Sequence, residues 1–226
     1  MQPVIHHPWT LTEQEAISLQ KQLALQVKTE DQVKEVQHIA GVDVAYHVAE
    51  DVLVAGIVVL DAASLQVVES VVVSDSVAFP YIPGLFSFRE LPPLMKAFEK
   101  LQTVPQLIVC DGQGIAHPRR FGLASHVGLL YDIPAIGCGK TRLLGEYAQP
   151  DSHRGACSPL LDEGEIVGAV LRTQADTKPV FVSVGHGISL PTACEWITRL
   201  APKYRLPETT RQVDQLVNKA LAGLGN

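Results

Sequence analysis

Residues 38–77 read HIAGVDVAYHVAEDVLVAGIVVLDAASLQVVESVVVSDSV, and this stretch decides the fold. Three runs rich in Val and Ile, at 38–46, 52–60 and 65–77, are split by short polar breaks. β-Branched side chains suit a pleated surface, and such short connections leave no room for a crossover, so the pattern predicts an antiparallel meander. Upstream, Thr12-x-x-Glu15 reads as a capping box, and Ala16, Leu19, Leu23 and Val27 recur at helical spacing, which predicts a helix over 12–33. Downstream, a helix is expected over 87–101, kinked or delayed by Pro92 and Pro93. Short buried strands follow at 106–110 and 133–138, with a helix at 118–131 between them. In the last third, 166–172 and 180–184 are expected to pair as a hairpin, followed by helices over 192–200 and 207–221.

The resulting order is three antiparallel strands and then parallel β-α units flanked by helices. That is the order of a ribonuclease-H-like mixed α/β sheet, and it predicts one catalytic domain over 1–226. Composition agrees with a packed globule. Hydrophobic residues make up 46% and charged residues 19%, with 18 Lys plus Arg against 24 Asp plus Glu for a net charge of −6. This balance excludes a disordered chain and a broadly basic nucleic-acid coat, but it leaves room for a local basic patch beside an acidic centre. The longest apolar run, at 52–60, is far short of the ~20 residues of a spanning helix. No signal sequence is visible and the four cysteines, Cys110, Cys138, Cys157 and Cys194, form no C-x-x-C, so a cytoplasmic location and four buried, unpaired thiols are expected.

Several familiar motifs fail on inspection. Gly139-Lys140-Thr141 lacks the earlier glycine of a phosphate-binding loop, because Pro134 stands there. Gly112-x-Gly114 has His117 where a dinucleotide fingerprint needs its third glycine. No G-x-S-x-G elbow exists. What remains is acidic. Asp43 interrupts an apolar strand and Asp111 ends another, and an ionised carboxylate in such a place is costly unless it is paired, hydrogen-bonded or metal-bound. If the two strands are neighbours, their carboxylates converge on one divalent ion; alternatively, each caps the next turn. Glu90 reads as a helix first-turn acid, Asp214 as a solvated edge position on an apolar stripe, and Lys140 as a strand-end lysine or a phosphate cation. Pro80-Tyr81-Ile82-Pro83 is a proline-stiffened turn.

Taken together, Gly41-Val42-Asp43-Val44, Pro80-Tyr81-Ile82-Pro83-Gly84-Leu85-Phe86-Ser87-Phe88-Arg89-Glu90 and Asp111-Gly112-Gln113-Gly114-Ile115-Ala116-His117-Pro118-Arg119-Arg120 resemble the endonuclease V family. The likeness continues through Ala124-Ser125-His126, Ile136-Gly137-x-x-Lys140 and Tyr204-Arg205-Leu206-Pro207, covering about 35–215. The resemblance implies a deoxyinosine 3′ endonuclease of DNA repair. Such an enzyme uses Mg²⁺, with Mn²⁺ as a substitute, and hydrolyses the second phosphodiester 3′ to the lesion, leaving 3′-hydroxyl and 5′-phosphate ends. The alternative it leaves open is an endoribonuclease for inosine in single-stranded RNA. By the same resemblance, Asp43, Asp111 and Glu90 hold metal, and Asp214 joins them less securely. Lys140 stabilises charge on the scissile phosphate and His117 positions water or phosphate. Pro80, Tyr81, Ile82 and Pro83 form a strand-separating wedge. Gly84, Phe86, Gly112, Gly114 and Leu143 line the base pocket. Arg89, Arg119, Arg120, Arg205 and Arg211 contact the backbone. No heptad pattern is present, so a monomer is expected.

Overall fold

The computed structural model describes residues 1–47 and 51–224. The expected meander is present: β1 (His38–His47), β2 (Val52–Asp61) and β3 (Val67–Ser76) pair antiparallel with β2 in the middle. β4 (Leu107–Cys110) adds parallel to β1, and β5 (Ala135–Gly139) adds parallel to β4. These five strands stand in the ribonuclease-H-like order β3-β2-β1-β4-β5. The remaining strands, β6 (Cys157–Asp162), β7 (Glu165–Leu171) and β8 (Val180–His186), extend the sheet to eight in the order β5-β8-β7-β6, all antiparallel.

Helices cover both faces. On one side α2 (Phe86–Lys100) and α3 (Leu123–Tyr131) pack Leu91, Leu94, Phe98, Val127 and Leu130 against Ala40, Val42, Leu53 and Ile57. On the other, α4 (Leu190–Leu200) brings Ala193 and Ile197 to Leu107, Val109 and Val182, while α5 (Glu208–Leu224) sets Val213 and Val217 on Val54 and Val58. Burial on both faces explains why β2 and β4 read as unbroken apolar runs. Among the described residues no helix is long and apolar enough to cross a membrane.

Several expectations need correction. The capping box is formed, with Thr12 and Glu15 exchanging hydrogen bonds, but α1 (Glu13–Ala24) ends well before residue 33. The chain after it pairs with the β8–α4 turn instead, through Lys28, Gln32 and Gly187. α2 starts at Phe86 and runs through Pro92 and Pro93, because its buried stripe outweighs the backbone bonds the prolines remove. α3 starts only at Leu123, since the preceding stretch packs main chain on main chain: a Cβ at Gly122 would run into the Gln113 carbonyl oxygen. β8 is antiparallel to β5, so the parallel part of the sheet ends there. β6 was not foreseen; it is an edge strand that tolerates Pro159, and its burial alternates. Cys110 and Cys138 are buried as expected, but Cys157 is exposed and Cys194 is only partly covered.

Candidate active site

The site forms where β4 and β5 end beside the middle of β1. Val42 of β1 is in register with Cys110, the last residue of β4, and Cys110 with Gly137 of β5. Asp43 and Asp111 therefore emerge at the same level, and Lys140 emerges just beyond β5. α5 supplies the third carboxylate. It lies on β1 and β2 closely enough to require glycine: a Cβ at Gly41 would meet the Thr209 carbonyl oxygen at 2.5 Å, and one at Gly56 would run into the Val217 side chain. That approach brings Asp214 to Asp43 and Asp111. Ligand-capable oxygens of Asp43, Asp111 and Asp214 all lie within 4.8 Å of one another. The Lys140 ammonium sits against two of them, 2.6 Å from Asp111 Oδ2 and 3.2 Å from Asp214 Oδ1.

The cluster sets three carboxylates against one ammonium. Burial, and then the charge of Asp111, push the Asp43 carboxyl up to about 7, although it accepts the Val44 N–H at 2.8 Å. Burial opposes the Lys140 ammonium, but Asp111 and Asp214 outweigh it and raise its pKa. Glu90 stands outside the three-carboxylate group. Its Oε1 accepts the Tyr46 hydroxyl at 2.8 Å. Burial raises it to about 7; the Tyr46 bond works against that shift, and the charges of Asp43 and Asp111 add to it. The three clustered carboxylates form an all-oxygen donor set of the kind hard divalent cations occupy.

Beside this cluster opens a cavity of about 380 Å³, whose lining includes Asp111, Lys140 and Glu90 together with Gly84, Phe86, Gly112 and Leu143. Gly84 has φ +80°, a left-handed conformation that turns the chain from the proline-rich segment into α2. Tyr81 is 63% exposed, with its ring edge-on to Phe86 at 5.0 Å. Ile82 instead packs inward, beside Phe79 and Phe88.

Other expected residues are placed differently. Gly114 is buried away from the cavity, where any Cβ would overlap the Val184 carbonyl, and its N–H donates to Ser183 Oγ. His117 lines the cavity, but both ring nitrogens are committed: Nδ1 accepts the Arg119 N–H at 3.1 Å and Nε2 meets the Gly84 carbonyl at 3.0 Å. Neither nitrogen is left for water or phosphate. The five arginines brace the protein itself. Arg89 donates to the Phe79 carbonyl and lies over the Tyr46 ring. Arg119 holds Gln20 and Gly84, and Arg120 pairs with Asp162 and Glu165. Arg205 binds the carbonyls of Lys140, Lys178 and Pro179, while Arg211 pairs with Glu208 and stacks on Tyr204. His126 is likewise internal, between Ser87 and His7.

Sequence reasoning missed Tyr46, Gln113 and Gln20. Gln113 lines the cavity and donates to the Thr141 carbonyl. Gln20 carried a usable signal: it sits on the stripe of Ala16 and Leu23, where a polar side chain is out of place, and it is 1% exposed.

The endonuclease V family model matches residues 21–215. The chain belongs to the endonuclease V family. It is 51% identical over 213 residues to an endonuclease V of Trichormus variabilis, covering 94% of this chain and 96% of the relative. The crystal structure of endonuclease V from Streptomyces avermitilis superposes with a TM-score of 0.93 at 46% identity, covering both chains in full. A Ciona intestinalis endonuclease V superposes with a TM-score of 0.84 at 25% identity, over 95% of this chain and 100% of that one. That protein was captured with DNA containing an inosine followed by a ribo-adenosine. Endonuclease V is a family of nucleases, and all three clustered carboxylates, Asp43, Asp111 and Asp214, fall within the matched residues.

Proposed function

We propose that this family member is a deoxyinosine 3′ endonuclease. It hydrolyses the second phosphodiester 3′ to a deaminated adenine in DNA and leaves 3′-hydroxyl and 5′-phosphate ends. The observation that carries the reading is the convergence of Asp43, Asp111, Asp214 and Lys140 beside a cavity whose lining includes Gly84, Gly112, Gly122 and Gly139. The inosine-containing DNA bound by the Ciona relative supports the substrate class. We further read the chain as a single-domain cytoplasmic monomer, to which its four free thiols are suited.

The donor set fits Mg²⁺, with Mn²⁺ as a substitute. Lys140 already occupies a cation's place between two of the carboxylates. Asp43, Asp111 and Asp214 would hold the metal, which when bound supplies an acidified water and neutralises phosphate charge. Lys140 then faces the scissile phosphate and stabilises the negative charge that grows on its oxygens. Glu90, oriented by Tyr46 and raised to about 7, is suited to take up and return a proton near neutral pH. The lesion leaves the stack to enter the cavity, and exposed Tyr81 fills the gap it leaves. Gly84 and Gly112 let a purine come close to main-chain N–H and C=O groups.

A nicking assay tests this. Purified protein with Mg²⁺ is given an end-labelled duplex carrying one deoxyinosine, an undamaged duplex and an inosine RNA. The expected product is a cut one nucleotide beyond the lesion on its 3′ side, absent with Asp43→Ala. The ribo-adenosine in the relative's DNA favours a second reading, inosine RNA as substrate. Cleavage of the RNA alone would establish that one, and no cleavage of any substrate with either ion would sink both.

A further inference from the structure

The Gly84 carbonyl accepts three hydrogen bonds, from Gln20 Nε2 at 2.9 Å, Arg119 Nη2 at 2.8 Å and His117 Nε2 at 3.0 Å. A carbonyl oxygen has two lone pairs, so this one is more than saturated. Its residue is the left-handed hinge between the segment bearing Tyr81 and the helix that begins at Phe86. The donors reach it from two separate parts of the chain, α1 and the stretch after Asp111.

The bonding fixes every atom in the cluster. His117 Nδ1 accepts the Arg119 N–H, so its proton lies on Nε2 and points at Gly84. Burial, and then the adjacent Arg119, hold that imidazole neutral by lowering its pKa to about 4. Gln20 Oε1 accepts the Arg119 Nε–H, while its Nε2 donates to the Gly84 and Phe121 carbonyls. A flipped amide would aim its oxygen at two carbonyls and its NH₂ at a guanidinium, so only one orientation is allowed. All polar atoms of Gln20 are thus consumed inside the protein, although the residue lines the cavity.

We propose that Gln20 is a positioning residue for lesion recognition: with Arg119 and His117 it clamps the Gly84 carbonyl and holds the hinge between Tyr81 and Phe86 in its base-accepting form. This rests on the reading of the cavity as a lesion pocket. It also removes the Gly84 carbonyl from the acceptors offered to a bound base, so a ligand N–H must be met by another group. Gln20 lies one residue before the family match begins, on a helix outside the motifs of the site.

Two substitutions separate clamping from simple packing. Gln20→Met keeps length and volume but removes both donors and the acceptor. Gln20→Glu keeps the acceptor for Arg119 and can donate to Gly84 only when protonated. The first readout is hydrogen–deuterium exchange across residues 80–86 in the ligand-free protein, below the unfolding range of each variant. Faster exchange confined to that segment in Gln20→Met is expected, and unchanged exchange there overturns the clamp whatever the substrate proves to be. The second is kcat/KM on the deoxyinosine duplex, expected to fall by about tenfold or more in Gln20→Met. Mg²⁺ affinity measured by calorimetry should stay at the wild-type value. Gln20→Glu should lose activity relative to wild type as pH rises through the glutamate's titration, a limb that Gln20→Met lacks. A Gln20→Met protein with the wild-type preference for deoxyinosine also overturns the proposal. Wild-type protein that shows no preference for deoxyinosine fails the substrate reading alone and leaves the exchange result to decide the clamp.

Discussion

On the floor of the site, Asp43, Asp111 and Asp214 lie together with the Lys140 ammonium against the last two, and two carboxyls, Asp43 and Glu90, are pushed to about 7. On its wall, a single carbonyl is saturated by three donors, and a glutamine and a histidine have every polar atom satisfied. The floor sets three carboxylates against one ammonium. The wall is complete before any ligand arrives. The wall is therefore preorganised, while the carboxylate cluster holds like charges together at a cost to stability.

The largest break in this contrast comes from removing a floor carboxylate. Asp43→Ala should lower kcat on the deoxyinosine duplex by about 10³-fold, the scale of losing a group that stabilises transition-state charge. The folded protein should be no less stable in urea, because a like charge is gone. A large loss of stability would show that Asp43 is a structural strut.

The two glycines assigned to the pocket should then part company. Gly114→Ala drives a methyl into the Val184 carbonyl, so it should destabilise the fold by about 3 kcal/mol in urea titration. Gly84→Ala forces a side chain to φ +80° and sets its Cβ 2.6 Å from Arg119 Nη2. It should cost about 1–2 kcal/mol of stability, with a larger proportional loss of deoxyinosine preference. Equal effects on recognition would place Gly114 at the pocket after all.

The pH dependence sharpens the comparison from the floor's side. Asp43 and Glu90 hold protons to about 7 in the folded chain, whereas the unfolded chain releases them near ordinary carboxylate values. The folded state binds more protons between those limits, so its stability falls as pH rises through that window. With a chelator present, the melting temperature should drop by a few degrees from about pH 5 to about pH 8. Mg²⁺ should reverse the drop most strongly at the upper end, where the carboxylates are bare. A flat profile with chelator would remove the case for a charge-frustrated floor.

The smallest effect is expected at Arg120, which the resemblance placed on the nucleic-acid backbone. Its guanidinium is partnered by Asp162 and Glu165, so Arg120→Ala should change cleavage by less than about threefold. A loss of about one unit in the salt dependence of DNA binding would restore it as a phosphate contact.

Much of the frame was legible from residue spacing. Alternating and continuous Val and Ile runs report burial directly, which is why β1, β2, β3, β4 and β5 were expected where they occur. Asp43 and Asp111 were conspicuous because a carboxylate in an apolar strand requires a reason. Asp214 carried no such signal, since its local pattern is that of an ordinary helix edge; it joins the site only because Gly41 and Gly56 let α5 settle on the sheet. β6 was hidden by a proline that only an edge strand accepts. The arginines carried little signal, because a basic residue reads alike whether it meets a phosphate or a carbonyl.

The chain's own order of residues determined the meander, the two aspartates set in or just after apolar strands and the long motifs that mark the endonuclease V family, because these depend on neighbours a few positions apart. The tertiary structure alone decided that Asp214 completes the acidic cluster and that Glu90 stands beside it under Tyr46. It also decided that Gly114 packs rather than lines, and that Gln20 reaches Gly84 from 64 positions away. Those outcomes depend on which surfaces the sheet order and helix packing press together, and residues so far apart in sequence carry no periodicity that records their meeting.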